Sequence, residues 1–248
     1  MEIPVKGSRI PYLDGLRAYS ILLVVLAHAS DAQAWLAKKA YPQIFLPDAS
    51  LGVRIFFVLS GFLITSLLLD ERDAAGRISI RGFYERRIAR IIPASYLYIA
   101  TIAVLTALRV TSVPLSSFLA AITYTVNLHM LWSHVGASMQ AAKFGHFWTL
   151  SIEEQFYLFW PGILVFLGSR WSRRLAITCV FLFSFFRMVV YPYALHQPFG
   201  PGPLRTIQDV IMWGALGAFA AHSGLVGRMR AHRFHWAYPW ISGLIFSG

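Results

Sequence analysis

The stretch Leu13-Asp14-Gly15-Leu16-Arg17-Ala18-Tyr19-Ser20-Ile21-Leu22-Leu23-Val24-Val25-Leu26-Ala27-His28-Ala29 decides the fold. It approaches the ~20 mostly apolar residues that an α-helix needs to cross the hydrocarbon core of a bilayer. Arg17 and His28 interrupt it eleven positions apart. At about 100° per residue the two return to one helix face, roughly 16 Å apart along the axis. An ionisable side chain inside a span is expensive, ~2.5–3.5 kcal/mol for Arg on insertion scales, so it must face protein or water. Two on one face predict a polar path into the membrane. Taken singly, Arg17 could snorkel to the headgroups and His28 could be a hydrogen-bonded bundle residue.

The rest of the chain repeats this pattern. Of its 248 residues 57% are hydrophobic and 13% charged, with mean hydropathy +0.57. A soluble domain carries about 25% charged residues. The reading is therefore an all-α, polytopic transmembrane helical bundle, residues 1–248 forming a single integral-membrane domain. Candidate spans are Leu13–Ala29, Leu51–Leu69, Ala94–Val110, Ser116–Trp132, Phe147–Gly168, Leu175–Tyr191 and Ile207–His222, with an eighth beginning near Trp236. That makes seven or eight spans, the last cut short at Gly248, which suggests a piece of a longer protein. Leu13–Ala29 lacks a small-residue cleavage site behind it and reads as a retained span.

The net charge of +11 belongs to short inter-span loops, as the positive-inside rule expects. No basic, aromatic-interleaved segment remains to hold a strand, so nucleic-acid binding is not expected. Cys179 is the one cysteine, which leaves no disulfide framework, and no histidine spacing matches a metal site. Lys6, Arg9 and Arg17 place the N-terminus in the cytoplasm of a cell (inner) membrane, and the arginines of Asp70–Ile92 fit a cytoplasmic return. Simple alternation then puts Arg170, Arg173 and Arg174 outside, against the rule. Ser116–Trp132, polar at Thr123, Tyr124, Thr125 and Asn127, is the segment suspected of not crossing.

Four further groups of residues could carry chemistry. Arg54, at a membrane edge, either meets a substrate anion or snorkels, and Ser60-Gly61 lets two helices approach closely. Arg86, Arg87 and Arg90 lie at helical i, i+3 and i, i+4 spacing, so their guanidinium groups share a flank. They suit phosphate oxygens or anchor on anionic lipid. Glu153, Glu154 and Gln155 open an apolar helix, which packing alone hardly explains. The two carboxylates point about 100° apart, so they do not form a dyad. Trp148, Ser151 and Tyr157 lie alongside as candidate substrate contacts, although an interfacial aromatic belt is the commoner use of such rings. Arg205 and Asp209 are spaced to pair.

In order, Leu13-Asp14-Gly15-Leu16-Arg17 with His28, Phe56-Phe57-Val58-Leu59-Ser60-Gly61-Phe62, Arg86-Arg87-Ile88-Ala89-Arg90-Ile91-Ile92-Pro93 and Trp148-Thr149-Leu150-Ser151-Ile152-Glu153-Glu154-Gln155-Phe156-Tyr157 resemble the membrane-bound acyltransferase family 3. The resemblance runs from about Ile10 to Phe219 and implies about ten spans in a complete protein. It implies transfer of an acyl group, usually acetyl from acetyl-CoA, to a hydroxyl of a carbohydrate or glycan acceptor, without a metal. It points to Arg17, His28, Arg86 and Arg90 as the residues linked to activity. On chemical grounds His28 is then the candidate general base, or less favourably a transient acyl carrier. Glu153 or Glu154 is a candidate to orient it, and Arg17, Arg86, Arg87 and Arg90 would grip the acyl-CoA phosphates from the cytoplasmic side. The rival classes are a transporter or flippase of a polar solute, which usually shows a repeat symmetry that this sequence lacks, and a non-catalytic membrane scaffold. The oligomeric state is not legible.

Overall fold

The computed structural model describes residues 11–34, 49–132, 143–185 and 208–224. The described residues are helical: α1 (Pro11–Ala34), α2 (Ala49–Ala75), α3 (Ile80–Ala107), α4 (Leu115–Ile122), α5 (Val126–Trp132), α6 (Phe147–Phe185) and α7 (Gln208–His222). Three of them, α1, α2 and α3, are long and apolar enough to cross a membrane. Trp236 and its neighbours, His134, His232, His235 and Arg205 lie outside the described residues, as does the Asp209 side chain.

α2 is the organising helix, with its deepest packing against α7. Gly61 and Gly214 make that approach possible. A Cβ at Gly61 would collide with the Ile211 carbonyl, and one at Gly214 with the Val58 carbonyl. Two backbones thus touch where lipid offers no competing hydrophobic gain, as small-residue crossings in membranes do. Gly61→Ala is expected to cost about 1–3 kcal/mol by overpacking, read as a lower unfolding midpoint in detergent. Trp160, fully buried, donates from Nε1 to Thr65 Oγ1 at 2.8 Å and ties α6 to the same core.

The contacts fix direction. Ser60 meets Glu153, Thr65 meets Trp160 and Arg72 donates to Ser169, so the first arm of α6 runs parallel to α2. α7 does too, since its His222 Nε2 lies 2.8 Å from Asp73 Oδ2. α1 runs antiparallel, with Arg17 at Phe56 and Ser20 at Gly52. α6 breaks at Gly168, whose φ of 68° is the left-handed region open to glycine. The break separates the two spans expected on either side of Gly168.

Ser116–Trp132 is a candidate span that the sequence already marked as suspect. It is no continuous span but two short helices joined at Tyr124, φ 50°. At 1.5 Å per residue each covers only ~10–12 Å, far short of the ~30 Å core. Backbone freed at membrane depth must find partners within the protein, and α6 supplies them. Gln155 Nε2 donates to the Tyr124 carbonyl at 3.0 Å, and the Val126 N–H donates to Ser151 Oγ at 3.2 Å. Asn127 and Gln155 exchange amide hydrogen bonds at 3.0 and 2.9 Å. Because this segment does not cross, α6 returns toward the end where α3 began. The Arg72–Ser169 contact therefore brings Arg170, Arg173 and Arg174 to the end that carries Arg77 to Arg86, and the charge asymmetry closes.

Candidate functional site

Glu153 sits where four helices converge. The residue is 6% exposed, and its carboxyl accepts on Oε1 from Ser60 Oγ of α2 and from Tyr157 OH, one turn along α6, the latter at 2.9 Å. Arg17 of α1 and Arg87 of α3 both act on it electrostatically. Ser60 is fully buried and Tyr157 3% exposed, so the carboxyl and both of its donors lie within the protein. From the sequence Ser60 read as a packing residue and as one of several candidate oxyanion stabilisers. Its role as a hydrogen-bond donor to Glu153 rests on a contact 93 residues away in the chain, which no local pattern encodes.

The expected arginine flank divides. Arg87 turns inward, its guanidinium 4.4 Å from the Tyr157 ring centroid and 5.6 Å from that of Phe83. Those two aromatic faces offer a cation–π seat that solvent does not. Arg86 stays 61% exposed and reaches Glu71 Oε2 at 3.9 Å, and Arg90 is exposed. Arg17 also departs from expectation. It packs 6.0 Å from the Phe56 ring centroid, fourteen residues from Asp70 along α2, hence ~21 Å from that polar end. Its Nε is buried without a hydrogen-bond partner. Arg17 is therefore a deep residue, not level with Arg86 and Arg90.

His28 lies further along α1, past the level of Gly52, toward the opposite end of the bundle. Its Nδ1 is 2.8 Å from the Val24 carbonyl. A carbonyl only accepts, so Nδ1 is the donor in this contact. Neither glutamate orients the ring. Instead His28 is within electrostatic reach of His146, which the sequence did not single out. His146 packs edge-on at 5.0 Å to both Tyr98 and Phe147.

Glu154 faces away from Glu153, as the 100° rule predicts, and lines a cavity of about 700 Å³ between α3, the α4–α5 break and α6. Arg87, Gln155 and Tyr157 share that wall. Ser151 is fully buried and its hydroxyl is committed, donating to the Phe147 carbonyl at 2.8 Å and accepting from Val126. It acts there as a splice for the broken helix. Trp148 bridges the two apolar clusters of the bundle, half-buried. Arg54 is exposed on α2. Among the described residues no group of three or more His, Cys, Asp and Glu is placed to hold a metal ion.

The family model described as an acyltransferase domain matches residues 10–247. The provisionally named O-acetyltransferase SACOL0978 of Staphylococcus aureus strain COL is 36% identical over 181 residues, 71% of this chain and 28% of that protein. O-acetyltransferase OatA of Staphylococcus aureus strain NCTC 8325 / PS 47 is 35% identical over 180 residues, again 71% and 28%. This chain thus spans little more than a quarter of the curated relatives it matches. No solved structure matches it. With the family model covering residues 10–247 of 248, the chain belongs to the acyltransferase domain family, acyl transf 3.

Proposed function

We propose that this chain is the membrane part of an O-acyltransferase that takes an acetyl group from acetyl-CoA and esterifies a hydroxyl of a carbohydrate or glycan acceptor. One observation carries the reading: the reactive groups are graded along the bundle axis. Exposed arginines lie at the polar end, a buried arginine–carboxylate cluster lies midway, and the His28 imidazole lies toward the far end. Acyl transfer across a membrane needs that order. A transporter would need a path of similar polarity, but it predicts movement of intact solute without coenzyme release.

In this reading the end carrying Arg77, Arg86 and Arg170 is cytoplasmic, in the cell (inner) membrane, with the N-terminus on the same side. The described helices trace up to six passes. Of the seven or eight expected in this fragment Ser116–Trp132 drops out, and the segment near Trp236 lies outside the described residues. Arg86 and Arg90 hold the 3′- and pyrophosphate oxygens of the donor, and Arg87 receives the arm where it enters the protein. Glu153 is a positioning residue. It holds Tyr157 beneath Arg87 and balances Arg17 midway along the donor's path. His28 Nε2 takes the proton of the acceptor hydroxyl as its oxygen attacks the thioester carbon. The C–S bond then breaks and the coenzyme thiolate takes up a proton on release. Arg54 and Trp148 meet the acceptor in this reading.

The test is release of coenzyme A from acetyl-CoA by the full-length protein in membrane vesicles supplied with host glycans, with the acetyl label followed into alkali-labile ester. Ester formation supports the reading, whereas movement of intact solute without coenzyme release replaces it with transport. In the same assay Arg86→Gln/Arg90→Gln is expected to raise KM for acetyl-CoA about tenfold or more, each lost charged contact being worth ~1.5–3 kcal/mol in the buried limit and less where exposed. kcat should change far less, because neither group reaches the thioester.

A further inference from the structure

The second arm of α6, residues 169–185, presents two unlike faces. Ser172 Oγ donates to the Ile163 carbonyl at 3.2 Å across the Gly168 break, which fixes the rotation of the arm. Ser172, Ala176 and Val180 are buried; at about 100° per residue they form one stripe turned into the bundle. On the other side Arg170, Arg174, Ile177, Phe181 and Phe185 fall within a sector of about 80°, and all five are exposed. From Arg174 to Phe185 the helix rises about 16 Å. That is close to half of the ~30 Å hydrocarbon core, the depth of one leaflet.

The basic turn at the head of that stripe is unmatched. Arg170, Arg173 and Arg174 are exposed and, among the described residues, pair with no carboxylate. The acids of the same end are engaged elsewhere: Glu71 by Arg86, Glu85 by Arg81, Asp73 by Arg72 and His222, and Asp70 by His222. Like charges this close on a helix repel one another, and an anion among them relieves the repulsion. Trp171, also exposed, lies beneath Arg174, whose guanidinium carbon is 4.7 Å from the ring centroid. Indole rings settle at the headgroup level of a membrane. The order along the arm is thus guanidinium, indole, hydrocarbon.

We propose that this arm holds an anionic phospholipid of the adjoining leaflet, its phosphate among Arg170, Arg173 and Arg174 and one acyl chain along Ile177, Phe181 and Phe185. A zwitterionic headgroup would set its own cation against the guanidinium groups. A soluble phosphate would leave the apolar stripe unused. The inference concerns lipid binding alone and stands whether or not acyl transfer is observed.

The experiment compares two photoactivatable phospholipids with the same diazirine-bearing acyl chain, one a phosphatidylglycerol and one a phosphatidylcholine. Each is mixed with the full chain in phosphatidylcholine nanodiscs, and the labelled peptides are mapped by mass spectrometry. The phosphatidylglycerol is expected to label residues 177–185 roughly threefold to tenfold more, since one basic side chain near a membrane surface is worth about fivefold toward anionic lipid. Arg170→Gln/Arg173→Gln/Arg174→Gln should bring the two probes to parity, whereas the lysine counterparts should keep most of the preference. Size-exclusion monodispersity confirms that each variant is folded. Arg77→Gln/Arg81→Gln, which lowers the charge of the same end elsewhere, should leave the preference intact, as should millimolar ADP. Equal labelling of the wild type by both probes overturns the proposal, and so does a preference that survives the triple glutamine variant. Loss of the preference in Arg77→Gln/Arg81→Gln would make it a diffuse charge effect, and displacement by ADP would make the occupant a soluble phosphate; either also overturns it.

Discussion

His28→Ala should lower kcat for acetyl transfer by about 10²–10⁴-fold, the range that a positioned general base supplies. The substitution removes the imidazole and its Nδ1 contact to Val24, yet the ring is exposed and, among the described residues, hydrogen-bonds within its own helix. Insertion and thermal unfolding should therefore match the wild type within about 0.5 kcal/mol, as for surface substitutions generally. KM for acetyl-CoA should move little, because the donor's phosphates are held at the other end. An unchanged kcat would remove His28 from proton transfer and direct attention to His146, the imidazole in its electrostatic reach. A fall in kcat accompanied by loss of folded protein would give His28 a structural role instead.

Glu153→Leu has the opposite signature, a large loss of stability first. It strands two buried hydroxyl donors, those of Ser60 and Tyr157. At about 1–3 kcal/mol each the expected cost is roughly 2–6 kcal/mol, and the uncompensated Arg17 and Arg87 add to it. Glu153→Gln keeps an acceptor oxygen for the two hydroxyls, so most of the stability should return. Activity should not return in step, because a neutral amide no longer balances the two guanidinium groups. The measurement is the pair of unfolding midpoints set beside the pair of kcat values. If glutamine restores both together, Glu153 is a packing residue only, and the positioning role assigned to it is wrong.

Helical periodicity made some of this arrangement legible and could not reach the rest. The shared face of Arg17 and His28, and the divergence of Glu153 from Glu154, follow from 100° per residue and hold within one helix. The polarity of Thr123 to Asn127 flagged the segment that fails to cross, since such residues are costly in hydrocarbon. What sequence could not supply is depth and partnership between helices. Arg17 was placed at the cytoplasmic level because it stands near the chain's start. The register of α1 against α2 instead seats it at Phe56. Arg86 and Arg87 are neighbours in sequence, yet aromatic faces on α3 and α6 draw one inward while Glu71 holds the other outside. The pairing of Ser60 with Glu153, and the commitment of Ser151 to Val126, likewise depend on which helices meet.

The splice between α6 and the α4–α5 break bears on how the protein is made. Residues 115–132 emerge from the ribosome before Ser151 and Gln155, the side chains that satisfy the backbone at Val126 and Tyr124. Each piece is too short to be released into lipid by itself, so the segment must wait at the translocon or the headgroup layer until α6 arrives. Membrane integration is then out of step with synthesis, and a translational pause after α6 would aid assembly where one before it would hinder. Substitutions at Gln155 should accordingly show themselves as failed biogenesis and rapid proteolysis in the cell, with the small mature fraction that escapes still competent.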